Sequence, residues 1–229
     1  MELALLVPVK DLSAAKTRLA DLLTPAERRE LAMLMLRGVL AEAGPLEGLA
    51  RRVMVTNYRP AMELAEEAGF EVLREERQVS ESLSVDWASQ KLEAEGVGGV
   101  LRLPLDLPLV RRAEVADILG LARGGPQAVL VPSMAGTGTN AIFRSPPTLF
   151  ASRFGPGSLA QHSRLAREKG VQPELLHLPG LGLDVDEPAD LHALLEREQD
   201  CPTSVFLRER GVVGRLAALA AKPSRGQNR

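Results

Sequence analysis

The sequence predicts an α/β domain in which a mostly parallel sheet is flanked by helices. Short apolar runs alternate along the chain with segments of helical periodicity. The first run, Leu3 to Val9, has no polar alternation, as expected of a strand buried on both faces. The segments between the runs are long enough for crossover helices, which make neighbouring strands parallel. At 229 residues the chain can build one full core. No linker divides it, so residues 1–200 read as one domain and 201–229 as a C-terminal helix and frayed tail.

The elements follow in order. After the first strand, Thr24-Pro25-Ala26-Glu27 is a capping box with Pro at the first helical position. The helix it opens places Leu31, Met35, Leu36, Val39 and Leu40 at helical spacing and stops before Gly44-Pro45. Val53 to Thr56 is a strand, Ala61 to Ala68 a helix closed by Gly69, and Glu71 to Leu73 a short strand. Ser84 to Glu95 is a helix closed by Gly96, Val100 to Leu105 a strand, and Ala113 to Leu121 a helix. Ala128 to Val131 and Asn140 to Phe143 are strands. Leu159 to Lys169 is a helix, Glu174 to His177 a strand, Glu187 to Arg197 a helix, and Val205 to Ala221 a last helix. The apolar stretch Val212 to Ala221 suits packing on its own domain or, equally, a homodimer contact.

Composition narrows the function classes. Basic and acidic residues number 28 and 30, a net charge of -2, which argues against a general nucleic-acid binder. Trp87 and Tyr58 are isolated and make no stacking platform. No segment approaches the roughly 18 apolar residues of a membrane span, and no basic leader precedes Leu3, so a cytoplasmic protein is expected. The one cysteine, Cys201, builds neither a disulfide framework nor a thiolate cluster and has no evident base beside it. Only 5 of the 28 basic residues are lysines, and two of these, Lys10 and Lys16, stand six positions apart after the first strand.

Ligands in open α/β sheets sit outside the carboxyl ends of the strands, and four polar clusters fall there. In Val7 to Leu19, Lys10, Lys16 and Arg18 converge on a loop and helix start whose backbone N–H groups also suit a polyphosphate. The Gly spacing of a Walker A loop is absent, and the same residues would also suit a solvated basic loop. In Leu103 to Leu109, Asp106 stands among apolar residues at a strand end, where a carboxylate can hold Mg²⁺; a turn cap before Pro108 is the plainer alternative. In Leu183 to Pro188, Asp184 and Asp186 point to opposite faces if the chain is extended. Asp186 then serves most simply as the cap of the next helix, leaving Asp184 to partner Asp106 on a metal. The fourth cluster joins Gly136-Thr137-Gly138-Thr139-Asn140 with Arg153-Phe154-Gly155-Pro156-Gly157-Ser158. Both stretches combine glycines with hydroxyls suited to oxyanions, and Ser158 would cap the helix that follows. His162 on that helix could face the site, whereas His177 and His192 have no ligand spacing.

These motifs resemble a known family. Val-Pro-Val-Lys with Ala15-Lys16-Thr17-Arg18-Leu19, then Asp106-Leu107-Pro108-Leu109, Gly136-Thr137-Gly138-Thr139-Asn140, Phe154-Gly155-Pro156-Gly157-Ser158 and Asp184-Val185-Asp186 occur in this order in the 2-phospho-L-lactate and phosphoenolpyruvate guanylyltransferases. The resemblance spans about residues 4 to 195 and implies a single-domain nucleotidyltransferase fold of the GT-A type. It further implies transfer of GMP from GTP to a three-carbon phosphoacid, with release of pyrophosphate, in synthesis of coenzyme F-420. The acceptor is 2-phospholactate, phosphoenolpyruvate or 3-phosphoglycerate, depending on the member. By the same resemblance Thr139, Gly155 and Ser158 bind the acceptor, Asp106 and Asp184 hold Mg²⁺, and Lys16 and Arg18 lie on the GTP phosphates. Where many members open the middle helix with Gly-Leu-Asn, this chain has Ser82-Leu83-Ser84, a departure that bears on contacts to the nucleotide. Two other readings stay beside this one: transfer to a sugar phosphate or molybdopterin, and a nucleotide-binding module without turnover. The presence of both Asp106 and Asp184 weighs against the module.

Overall fold

The computed structural model describes residues 1–197 and 200–221. The first half runs β1 (Leu3–Pro8), a 3-10 turn (Thr17–Leu19), α1 (Pro25–Ala43), β2 (Leu49–Val55), α2 (Arg59–Glu67), β3 (Glu71–Leu73), α3 (Glu81–Ala94) and β4 (Gly99–Arg102). The second runs α4 (Arg112–Gly120), β5 (Gln127–Pro132), β6 (Thr139–Ser145), α5 (Ser158–Glu168), β7 (Glu174–Leu175), a single turn α6 (Pro179–Gly182), α7 (Pro188–Glu196), α8 (Pro202–Glu209) and α9 (Val212–Ala220).

The seven strands lie in the order β3-β2-β1-β4-β6-β5-β7. β1 pairs in parallel with β2 and β4, β2 with β3, and β5 with β7. Among the described strands β6 alone runs antiparallel, to both β4 and β5. The expected helix-flanked, mostly parallel sheet is therefore present, with one reversed strand in its middle.

Alternate residues of each strand feed opposite faces. Leu5, Val7, Met54, Leu101, Val129 and Phe143 pack under α1, α2 and α4. Ala4, Leu6, Val53, Val55 and Val100 meet Val85, Ala88 and Leu92 of α3. Helix α1 is buried on two sides: Leu36, Val39 and Leu40 face the sheet, and Leu31 and Met35 join a second cluster with α7, α8 and α9. Gly99 permits close packing in the sheet, since a Cβ there would lie 2.9 Å from the Phe143 ring.

Several boundaries differ from the sequence expectation, each for a local reason. Strand β2 begins four residues before Val53, because its charged residues find partners. Arg51 pairs with Glu71 and Glu95, and Arg52 donates to the carbonyls of Gly44 and Leu46. Helix α3 begins three residues before Ser84, with Ser80 as its cap accepting from Leu83 N at 3.2 Å. The single helix expected over Val205 to Ala221 is two helices, broken at Gly211 with φ of 64°. Val212 and Leu216 of α9 are buried against the chain's own α1 side. The frayed tail expected after Ala221 lies outside the described residues. Among the described residues no helix is long and apolar enough to cross a membrane.

The capping box at Thr24 forms as expected and is tied into the tertiary structure. Glu27 Oε2 accepts from Thr24 N at 2.8 Å, and Arg215 on α9 donates to Glu27 Oε1 at 2.9 Å. The Arg215 hydrogen bond, then that from Thr24, holds the Glu27 carboxyl near 2 rather than 4.5. A carboxylate with a depressed folded-state pKa stabilises the protein fully above its unfolded value, and the effect is lost as pH falls through the folded one. Glu27→Ala is expected to lower unfolding free energy by about 1–2 kcal/mol at pH 7. The difference from the parent should shrink as pH falls from 4.5 toward 2, measured by urea unfolding across that range.

Candidate active site

The chain leaves β1 toward β2 on one side and leaves β4 toward the opposite half of the sheet, which opens a crevice beyond their carboxyl ends. Three segments meet there: the loop after β1, the turn after β4, and the extended stretch before α7. Lys16 joins them. Its ammonium lies 2.6 Å from Asp106 Oδ2 and 2.7 Å from Asp186 Oδ1, with the side chain only 6% exposed. Lys16 has φ of 53°, and it is the one non-glycine residue with positive φ among those described. Such a conformation costs about 1–3 kcal/mol and is held where surrounding contacts over-determine it. The same loop is clasped from the other side by Gln78, which donates to Val9 O at 2.8 Å and accepts from Asp11 N at 2.9 Å.

Charge is concentrated here. Burial alone would raise the Asp106 carboxyl, but the charge and hydrogen bond of Lys16, helped by Arg102, hold it below its usual 3.8. Burial likewise pushes Lys16 down, and Asp106 and Asp186 together reverse this, so its pKa is raised. Asp184 is different. Burial, then repulsion by Asp106, raises its pKa above 3.8, opposed by the hydrogen bond from Asn140. Asn140 Nδ2 reaches Asp184 Oδ1 at 3.0 Å and the carbonyls of Leu181 and Gly182 at 2.9 and 3.0 Å.

The donor set fits a hard divalent cation. Asp106 and Asp184 supply carboxylate oxygens from separate segments, and the repulsion between them is what such a cation relieves. Mg²⁺ is usually held by one or two carboxylates plus substrate phosphates and water, rather than by an all-protein cage. No group of three or more His, Cys, Asp or Glu is placed to hold a metal among the described residues.

Beside this cluster lies a second, more enclosed one. The two Gly-rich stretches are brought together: Thr139 N donates to Ser158 Oγ at 2.9 Å, and Leu159 N to Thr137 O at 3.1 Å. Thr139 and Ser158 are 6% and 2% exposed, whereas Gly155, at φ of 124°, is open. His162 Nδ1 lies 3.0 Å from Thr139 Oγ1, and its Nε2 accepts from Arg153 N at 2.8 Å. Arg102, 4% exposed, stacks on the Phe154 ring at 4.1 Å, donates to Asn140 O at 2.8 Å and pairs with Glu81. Its charge faces Asp106 and Asp184.

Of the expected residues, the structure brings Lys16, Asp106 and Asp184 to one place, and Thr139 and Ser158 to another beside it. Lys10 is exposed, and Arg18 is turned to Glu187 at 3.0 Å with 65% of its side chain exposed. Two capping expectations are corrected. Glu187, not Asp186, caps α7, since the backbone N–H groups of Asp186 and Glu187 both donate to Asp190 Oδ2; Asp186 is free to take Lys16. Gly157, in the left-handed region at φ of 69°, occupies the cap of α5, and the Ser158 hydroxyl is spent on Thr139. In the Ser82-Leu83-Ser84 stretch, Ser82 Oγ accepts from Phe154 N at 3.0 Å and Ser84 donates to the buried Glu75 at 2.7 Å. Arg102 lies outside the four clusters, Asn140 has no role of its own within the fourth, and Asp186 is expected only as a cap. The one available signal was a buried-strand Arg at the end of a run of aliphatic residues.

Comparisons with known proteins give the family and the fold. The model of the family described as guanylyl transferase CofC like matches residues 3–221. A phosphoenolpyruvate guanylyltransferase from Rubrobacter xylanophilus is 39% identical over 85% of this chain and 94% of its own. A 2-phospho-L-lactate guanylyltransferase from Methanothermobacter thermautotrophicus is 30% identical over 100% of this chain and 97% of its own. In fold, the chain superposes with a TM-score of 0.74 on a Desulfovibrio desulfuricans protein described as a nucleotide-diphospho-sugar transferase, at 18% identity over 95% of this chain and 98% of that one. A CMP:2-keto-3-deoxy-manno-octonic acid synthetase superposes at 0.56, with 13% identity over 87% of this chain and 100% of that one. With its carboxylates and buried lysine set at the strand ends of a nucleotidyltransferase fold, and its sequence matched nearly end to end, the chain belongs to the CofC-like guanylyl transferase family and is a nucleotidyltransferase.

Proposed function

We propose that the protein transfers GMP from GTP to a small phosphoacid, phosphoenolpyruvate or 2-phospho-L-lactate, and releases pyrophosphate, as a cytoplasmic step in coenzyme F-420 synthesis. The observation that supports this most is the pairing of two clusters. An acidic one, with Asp106 and Asp186 around Lys16 and Asp184 close enough to feel Asp106, suits a metal-bound triphosphate. An enclosed hydroxyl-lined one, with Thr139 and Ser158, suits a compact anion. The names of the curated relatives point the same way.

In the step envisaged, a phosphate oxygen of the acceptor attacks the α-phosphorus of GTP in line. The bond from that phosphorus to the bridging oxygen breaks, and pyrophosphate leaves with the electron pair. The acceptor phosphate is already anionic at neutral pH, so no strong general base is needed. Mg²⁺ held by Asp106 and Asp184 would supply charge neutralisation on the phosphates. Lys16 would add a fixed positive charge beside it, already desolvated and therefore strong in effect. Arg18, exposed on the rim, is placed to reach phosphates only by leaving Glu187. Thr139, Ser158 and the open backbone at Gly155 would orient the acceptor, and holding the two anions in register is itself a large part of the rate.

The experiment is pyrophosphate release with each of the four nucleoside triphosphates against phosphoenolpyruvate, 2-phospholactate and 3-phosphoglycerate. GTP with one phosphoacid is expected to dominate; release that ignores the acceptor would overturn the reading. Asp106→Asn is expected to cut turnover by about a hundredfold or more with the thermal melting curve little changed. Asn140→Ala acts one layer out, through Asp184. It is expected to raise the Mg²⁺ concentration for half-maximal rate by about tenfold, with direct Mn²⁺ binding weakened in parallel.

A further inference from the structure

His162 is fully buried and has no place in the step just described. Its hydrogen bonds nevertheless define one state of the ring. Arg153 N is a donor, so Nε2, 2.8 Å away, must present a lone pair. In a neutral imidazole the proton is then on Nδ1, and Nδ1–H points at Thr139 Oγ1 at 3.0 Å. A hydroxyl has one proton and two lone pairs. With a lone pair of Thr139 taken by the histidine, its own proton is directed elsewhere.

We infer that His162 is a positioning residue for the acceptor: by donating to Thr139 Oγ1 it turns the threonine hydroxyl into a committed donor toward the acceptor's anionic oxygen. This rests on the reading that Thr139 binds the phosphoacid. The ring is well held for the task. Phe154 packs edge-on at 5.2 Å and 68°, and Phe150 lies at 6.0 Å. Burial, then the charges of Arg144, Arg102 and Arg153, push its pKa down to about 3, so the ring stays neutral wherever the enzyme would be assayed. The same ring fixes Arg153 N, two residues before Gly155, so one side chain sets both segments expected to touch the acceptor.

Two substitutions separate the two hydrogen bonds. His162→Asn places an amide N–H near the position of Nδ1 and keeps the donor to Thr139. His162→Gln places its amide oxygen near Nε2, keeping the acceptor for Arg153 N and losing that donor. With saturating GTP and varied phosphoenolpyruvate, His162→Gln is expected to raise the acceptor KM about tenfold while His162→Asn stays within about threefold. The KM for GTP should be unchanged in both. In a Thr139→Val background, His162→Gln should add less than about twofold, since the partner is already gone. Equal losses in the two variants, a parallel rise in the GTP KM, or a full effect in the Thr139→Val background would each overturn the inference while leaving the transfer reaction standing. Wild-type turnover that ignores the acceptor would overturn both. Should His162→Gln not fold, the ¹⁵N shifts of the wild-type imidazole decide: a protonated Nδ1 with bare Nε2 supports the assignment, and the other tautomer or an imidazolium at pH 7 overturns it.

Discussion

The double ion pair of Lys16 with Asp106 and Asp186 is the contact on which the site depends. Those three residues come from the loop after β1, the turn after β4 and the segment before α7, the last of them 170 positions from Lys16. An ammonium with 6% of its side chain exposed is unstable without nearby anions, and two carboxylates this close are unstable without a cation. Lys16 and Asp106 therefore make each other's burial tolerable, and Asp186, half-exposed, adds a second anion from the rim. The backbone at Lys16 is held in a left-handed conformation to make the geometry, which places local strain at the point where chemistry is expected.

Asp184 stands just outside that balance. Its carboxylate has a neutral donor, Asn140, in place of a cation, and it feels the charge of Asp106. The site thus carries one carboxylate already compensated and one still in need of positive charge. Arg102, stacked on Phe154 and bonded to the backbone of Asn140, adds a buried positive charge behind both and ties them to the hydroxyl-lined cluster.

Local chemistry was readable from the sequence, and tertiary pairing was not. The box Thr24-Pro25-Ala26-Glu27 is legible because its hydrogen bonds close within four residues. Asp106 is legible because a carboxylate directly after a buried strand has few structural uses. The start of β2 was hidden, since Arg51 and Arg52 look unlike strand residues until Glu71, Glu95 and the α1–β2 loop carbonyls are in place. Asp186 was assigned to a helix cap because that local role competes with a partner far along the chain; in the fold, Asp190 takes over the capping and Glu187 the cap position. His162 offered no spacing signal, as its partner Thr139 lies 23 residues upstream on a different element.

The reversed strand β6 has an architectural consequence. Because it runs against β4, with Ile142 opposite Arg102, its first residues, Thr139 and Asn140, lie just past the carboxyl end of β4 and not at the far rim of the sheet. One half of the cleft is thus furnished by segments that exit strands, and the other by a segment that enters one. The entering segment is preceded by its own glycine-rich hairpin and fastened to α5. It could be rebuilt during divergence to admit a different small anion without disturbing the exits that carry Lys16 and Asp106. On the proposed assignment, a reversed strand of this kind keeps the segments meant for the donor apart from the segment meant for the recipient.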